Sequence, residues 1–211
     1  MAIAALGYDD LPELLTLLTG DEKHDASSYS TLDVLWVLYD RVLSADDRFL
    51  LSKGHGPTAF YAVLAAKGFI AVDELPGFGE FDSPLGYHPD RVLVPGVEIS
   101  SGSLGHGLPI AVGVALAGRR VFCLVGDGEL DEGSNWEAVQ WAGRVGLGKL
   151  TAIVVDNHSS TYHWPGGLEQ RFEIEGWSVT RADGRDHDDL ERAFLSGSPD
   201  RPHAVVAEIG R

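Results

Sequence analysis

Apolar positions in this 211-residue chain change period partway along its length. Leu32, Leu35, Trp36, Tyr39, Val42 and Leu43 fall at helical spacing, and Ser30 with Asp33 forms a capping-box pattern ahead of them. A second helix is predicted over Pro57–Lys67. The chain is then rich in glycine and proline as far as Gly96, which predicts a long irregular stretch of the kind that is functional or covers a neighbour. Beyond Ser103 the pattern alternates. An alanine-rich helix is predicted over Leu108–Leu116, and another from Ser134 to Val145 with Ser134 and Glu137 as its capping box. A third falls near His187–Leu195. Between them lie apolar runs at Val121–Val125, Leu150–Val155, Trp177–Arg181 and Ala204–Ile209. Runs without alternation are those of strands covered on both faces. Strand–helix alternation at this spacing predicts an α/β fold with a doubly wound, mostly parallel sheet. With no internal repeat, low-complexity tract or linker, a single domain over residues 1–211 is expected.

Charge narrows the partners. Thirty-two acidic against sixteen basic residues give a net charge of −16, which repels nucleic acid and anionic membrane surfaces. No apolar run is long enough to span a bilayer. The segment Met1–Gly7 lacks the features of a signal peptide, so a cytoplasmic location is expected. The single cysteine, Cys123, excludes an intrachain disulfide and a cysteine-based zinc cage.

Doubly wound sheets bind ligands at the carboxyl ends of their strands. Those ends carry Gly126-Asp127-Gly128 and Asp156-Asn157-His158. Asp127 offers a hard carboxylate, the flanking glycines let backbone amides approach an anion, and Asn157 offers an amide oxygen. One carboxylate and one amide oxygen, completed by a backbone carbonyl and phosphate oxygens, suit magnesium. The same residue types also cap turns after strands, and spacing alone leaves both roles open.

The run Gly126-Asp127-Gly128, followed after 28 residues by Asn157, resembles the diphosphate-binding signature of thiamine-diphosphate enzymes. Its continuation, Glu129-Leu-Asp-Glu132-Gly-Ser-Asn-Trp136-Glu-Ala138, is similar to that of the transketolase family. Asp47-Arg-Phe-Leu-Leu-Ser52-Lys53-Gly54-His55-Gly56 resembles a second signature of that family. His88-Pro89, Pro95-Gly-Val-Glu98 and Ser101-Gly102-Ser-Leu104-Gly105-His106-Gly107 resemble a third. The resemblance implies thiamine diphosphate and Mg2+ as cofactors, with Asp127, Asn157 and the Ser159 carbonyl on the metal. It implies Gly126 and Gly128 at the diphosphate, and Gly102 and Leu104 at the cofactor rings. Glu132 matches a glutamate at the subunit interface, coupled to the partner's activating glutamate. His55 and His88 resemble substrate-contacting histidines. His24 aligns with another active-site histidine, although Lys23 and Asp25 replace the usual glycine and proline. His106 is read as loop filling, and His158, His163, His187 and His203 as surface residues.

The implied reaction is transfer of a two-carbon ketol unit from a ketose phosphate to an aldehyde. The chain stops near where the first domain's last strand would finish, so it resembles the diphosphate-binding half of a split transketolase. The expected partner is a second subunit carrying the pyrimidine-binding domain, in a heterotetramer of two plus two chains. The stretch after Asn157 looks shortened, and a later segment bearing a further histidine is not in these residues. Trp136 and Val139 fill the core or meet the partner. The alternatives are a deoxyxylulose-phosphate synthase, a 2-oxo acid dehydrogenase component and a degenerate regulatory subunit. A nicotinamide-binding domain lacks the required strand–glycine loop–helix context.

Overall fold

A computed structural model describes residues 6–19, 28–162 and 164–210. Five strands, β1 (Arg48–Leu51), β2 (Val121–Gly126), β3 (Leu150–Asp156), β4 (Ser178–Asp183) and β5 (His203–Glu208), form one sheet in the order β1-β2-β3-β5-β4. Every neighbouring pair is parallel, as the strand–helix alternation predicts. β1 is the one strand the pattern does not announce. Its four residues are too short for a periodicity, and they lie inside the motif ending at Gly56.

The sheet is covered on both faces because alternate residues of its central strands are apolar in both directions. Phe49, Phe122, Leu124, Ile153, Val155 and Val205 face one core. There they meet α1 (Leu11–Leu17), α2 (Leu32–Val37), α3 (Thr58–Ala66) and α7 (His187–Leu195). Cys123, Val125, Ala152, Val154, Ala204 and Val206 face a second core beneath α4 (Gly107–Leu116), α5 (Gly133–Arg144) and α6 (Gly167–Ile174). Trp136 and Val139 belong to this second core. The glycine- and proline-rich stretch from 67 to 96 holds only a short 3-10 turn, Val72–Gly77, yet buries Leu75, Phe78, Leu85 and Val94.

Two capping expectations are corrected. α2 begins after Thr31 without a side-chain cap. Asp33 instead accepts from Tyr8 Oη at 2.5 Å, Arg185 Nη1 at 2.6 Å and His187 Nε2 at 2.9 Å. α5 begins one residue before Ser134, and that hydroxyl donates to the Gly105 carbonyl at 2.9 Å. A long-range partner wins over the local cap in both cases: donors for Asp33, an acceptor for Ser134. His203, read as a surface residue, is 2% exposed. It lies between Ser178 Oγ (2.9 Å) and the Ala193 carbonyl (3.1 Å), and burial lowers its pKa. His187 is likewise mostly covered, on Asp33.

Among the described residues no helix is long and apolar enough to cross a membrane. Burial alone would raise the pKa of Asp33, but its bonds from Tyr8, Arg185 and His187 outweigh this and leave it lowered. A depressed carboxylate contributes stability above its unfolded pKa of about 4 and loses it as pH falls through the folded value. Asp33→Ala therefore lowers unfolding free energy by about 2 kcal/mol at neutral pH and flattens the acid limb of the stability profile. Urea titrations between neutral pH and pH 3 check this; an unchanged acid limb contradicts it.

Candidate functional site

Four loops meet at the carboxyl ends of β1, β2 and β3. Register brings two of them together: Gly126 lies beside Val155, and the Asp127 amide extends the ladder to the Val155 carbonyl at 3.0 Å. After β1, the amides of Ser52 and Lys53 both donate to the Leu124 carbonyl. The loops touch through glycines. A Cβ on Gly54 would sit 2.3 Å from Ser101 Oγ, so the motif after β1 and the one before α4 are in backbone contact. Gly105, at φ +83°, leaves room only for hydrogen against Glu132 and Ser134.

Glu129 binds these loops to one another. It is 3% exposed, one oxygen accepting from Ser52 Oγ at 2.5 Å and the Gly105 amide at 2.9 Å, the other from the Gly126 amide at 3.4 Å. Ser52 Oγ in turn accepts from the Gly107 amide at 3.0 Å. Burial raises the pKa of Glu129 against the pull of these donors and of Lys53. Lys53 is 4% exposed and lies across Gly126; burial lowers it to about 8, while Glu129 and Asp127 act in the opposite direction.

Asp127 is 1% exposed and accepts from the Ser159 amide at 2.6 Å, the Ser160 amide at 2.9 Å and Ser159 Oγ at 2.5 Å. Ser160 Oγ and the Thr161 amide bind Asp131. Between Asn157 and Ser159, His158 adopts φ +59°, rare for a residue with a Cβ. Asp156, beside Asn157, is held by Arg181 Nη1 at 3.3 Å; Arg181 also pairs with Glu169 and Glu208. A cavity of about 250 Å3 opens here, lined by Asp127, Asp156, Ser160, Trp164 and Arg181 among others.

Three buried oxygens in this region, Asn157 Oδ1, Ser101 Oγ and Asn135 Oδ1, lack a hydrogen-bond partner. Buried polar atoms are rarely left so, and an unpaired one at a site points to a ligand or ion. Among the described residues no three His, Cys, Asp or Glu side chains gather as a metal cage. A cation here would depend on a mixed set of carboxylate, amide and carbonyl oxygens, which is the chemistry of a hard ion. The residues present fit magnesium.

His88 is exposed, and its ring lies 3.1 Å from where a Gly102 Cβ would be. His55 is half-buried at the end of the loop after β1. Glu132 is exposed at the N-cap of α5, and Leu104 is 40% exposed. Gly128 faces Ser159. His24 lies outside the described residues. Glu129, Ser52 and Lys53 stand within the sequence motifs but carry no role there. The available signal was a run of polar residues directly after a buried strand.

A two-faced parallel sheet with a glycine-lined polar cleft at its strand ends defines a doubly wound ligand-binding α/β domain. The chain belongs to the transketolase family: residues 24–207 match the family described as transketolase, thiamine diphosphate binding domain. It is 52% identical over 97% of its length to a Rhodococcoides fascians protein named Ferredoxin fas2, of which the match covers 72%. With one cysteine in its 211 residues, this chain itself has no ligand set for a cysteine-held iron–sulfur cluster. It is 36% identical over 87% of its length to one of the subunits of the apulose-4-phosphate transketolase of Actinobacillus succinogenes, 75% of which is covered. The fold matches a transketolase of Pichia stipitis with TM-score 0.82 at 22% identity, over 95% of this chain and 36% of that one.

Replacing Glu129 by Leu takes the acceptor from the Ser52 hydroxyl and the Gly105 and Gly126 amides and removes a negative charge near Lys53. The expected loss is about 3–5 kcal/mol of unfolding free energy, with a smaller loss for Glu129→Gln. Denaturant titration of both variants measures it; a Leu variant within about 1 kcal/mol of the unchanged chain removes Glu129 from its central position.

Proposed function

We propose that this chain is the diphosphate-binding subunit of a split transketolase, a single domain working with a second subunit that carries the pyrimidine-binding domain. The reaction is transfer of a two-carbon ketol unit from a ketose phosphate to an aldehyde. The carrying observation is the unpartnered Asn157 Oδ1 at the strand end beside the buried Asp127 carboxylate. This is the donor pair that a cation bridging to a diphosphate requires. The relative named as one subunit of an apulose-4-phosphate transketolase supports both the two-chain organisation and a phosphorylated sugar.

When bound, thiamine diphosphate supplies the carbanion chemistry that breaks and remakes the carbon–carbon bond. Asp127, Asn157 and the Ser159 carbonyl hold Mg2+. Gly126 and Gly128 leave the backbone open to the diphosphate, and Lys53, buried beside Gly126, offsets charge that a chain of net −16 would otherwise repel. Gly102 and Leu104 border the cofactor rings. His55 and His88 hold and donate protons at the sugar oxygens, since an imidazole carries both a proton donor and a proton acceptor; His24 joins them. Glu132, exposed at the head of α5, reaches across to the partner. Leu104, Ile110 and Trp141, each at least 40% exposed on this side, are consistent with a protein surface there. The assembly is two plus two chains in the cytoplasm.

Calorimetric titration of thiamine diphosphate with Mg2+, on this chain mixed with its partner subunit, gives saturable binding that Asp127→Ala abolishes while the variant keeps its folded circular-dichroism spectrum. Binding retained by that variant refutes the site. His88→Ala lowers kcat for ketol transfer by about 100-fold and leaves cofactor affinity unchanged; equal loss in both would make His88 a cofactor ligand instead.

A further inference from the structure

A cluster of three side chains, with no part in holding the cofactor or moving protons, lies between the turn after β2 and the loop after β3. The Arg171 guanidinium on α6 is 3.5 Å from the ring centre of Trp136 and 3.3 Å from that of Trp164, in the angle between indoles inclined at 70°. Both indoles lead back to the cleft. Trp136 Nε1 donates to the Leu130 carbonyl at 2.6 Å, three residues beyond Asp127. Trp164 lines the cavity that Asp127, Ser160 and Arg181 share. The loop after β3 is therefore fastened twice: by Ser159, Ser160 and Thr161 on Asp127 and Asp131, and by Trp164 on Arg171.

Hydrogen bonding does not account for the second fastening. Arg171 Nη1 and Trp164 Nε1 are buried with no partner, and burial lowers the Arg171 pKa. Attraction of the guanidinium to two ring faces holds the group together. An aliphatic side chain would fill the same space without burying a charge, so what Arg171 adds is a planar cation that fixes the angle of Trp164.

We propose that Arg171 is a positioning residue for the cation site: through Trp164 it holds the Ser159–Thr161 loop on Asp127, so cation affinity depends on a stack that touches neither cation nor cofactor. This rests on the reading of Asp127 as a magnesium ligand. Outer supports of metal ligands typically change affinity by about 10–100-fold.

The test titrates magnesium at fixed thiamine diphosphate into the chain with its partner subunit, for the unchanged protein and for Arg171→Ala, Trp164→Ala, Trp164→Phe and the double alanine variant. Melting temperatures are recorded without magnesium. The expected result is about tenfold weaker magnesium affinity for each alanine variant and no further loss in the double variant. Trp164→Phe keeps most of the affinity that Trp164→Ala loses, because a phenyl ring still offers the guanidinium an aromatic face although the pyrrole ring and its unpartnered N–H are gone. Melting temperatures stay within about 3 °C. Unchanged affinity in the single variants, losses that multiply in the double, or affinity that falls only in step with melting temperature overturns the proposal. Absence of magnesium-dependent binding in the unchanged protein refutes the proposed function instead.

Discussion

A carboxylate buried with 3% of its surface exposed must be surrounded by donors or become very costly to keep charged. Glu129 meets that demand with the Ser52 hydroxyl and the amides of Gly105 and Gly126. Two of the donors come from separate distant loops and the third is the end of β2 itself, so satisfying one side chain fixes the loops at Ser52 and Gly105 against the turn after β2. The glycines follow from the same demand: loops drawn to a common acceptor approach too closely for side chains, as at Gly54 against Ser101 and Gly107 against Ser52. What looks in sequence like three glycine-rich motifs is in space one hydrogen-bonded knot at the strand ends.

The residues disclose the sheet more readily than the knot. β2 and β3 are buried throughout, and their unbroken apolar runs announce this directly. α7 is equally legible, with Asp186 capping it through the amides of Asp188 and Asp189. Local patterns failed where a distant partner outbid a near one. Asp33 looks like a capping-box residue and serves instead as acceptor for groups about 150 positions away. Ser134 gives its hydroxyl to Gly105, and His203 is buried between β4 and α7. The position of Asp127 and Asn157 at neighbouring strand ends followed from the apolar runs before them, whereas Glu129 and Arg171 act through contacts that no local window contains.

Charge in this molecule is distributed against its average. The chain carries −16 overall, yet cations gather near the strand ends: Lys53 beneath Gly126, Arg181 on Asp156, and Arg171 between its two indoles. Arg181 is shared among three acids, which leaves it more a brace than a ligand for anions. With no broad positive surface among the described residues at the strand ends, an anion entering the cleft would meet glycine-flanked backbone and the buried Lys53. That arrangement favours a compact, highly charged headgroup over a large polyanion.

The strand order has a kinetic corollary. β3 pairs with β5, and β4 reaches the sheet only through β5. As the polypeptide emerges from the ribosome, β4 has no place to dock until His203–Glu208 has been synthesised and inserted beside β3. Until then β3, the most central strand, keeps an open edge of apolar residues, the kind of surface on which nascent chains aggregate. Sheet closure thus waits on contacts distant in sequence, which are slow to form.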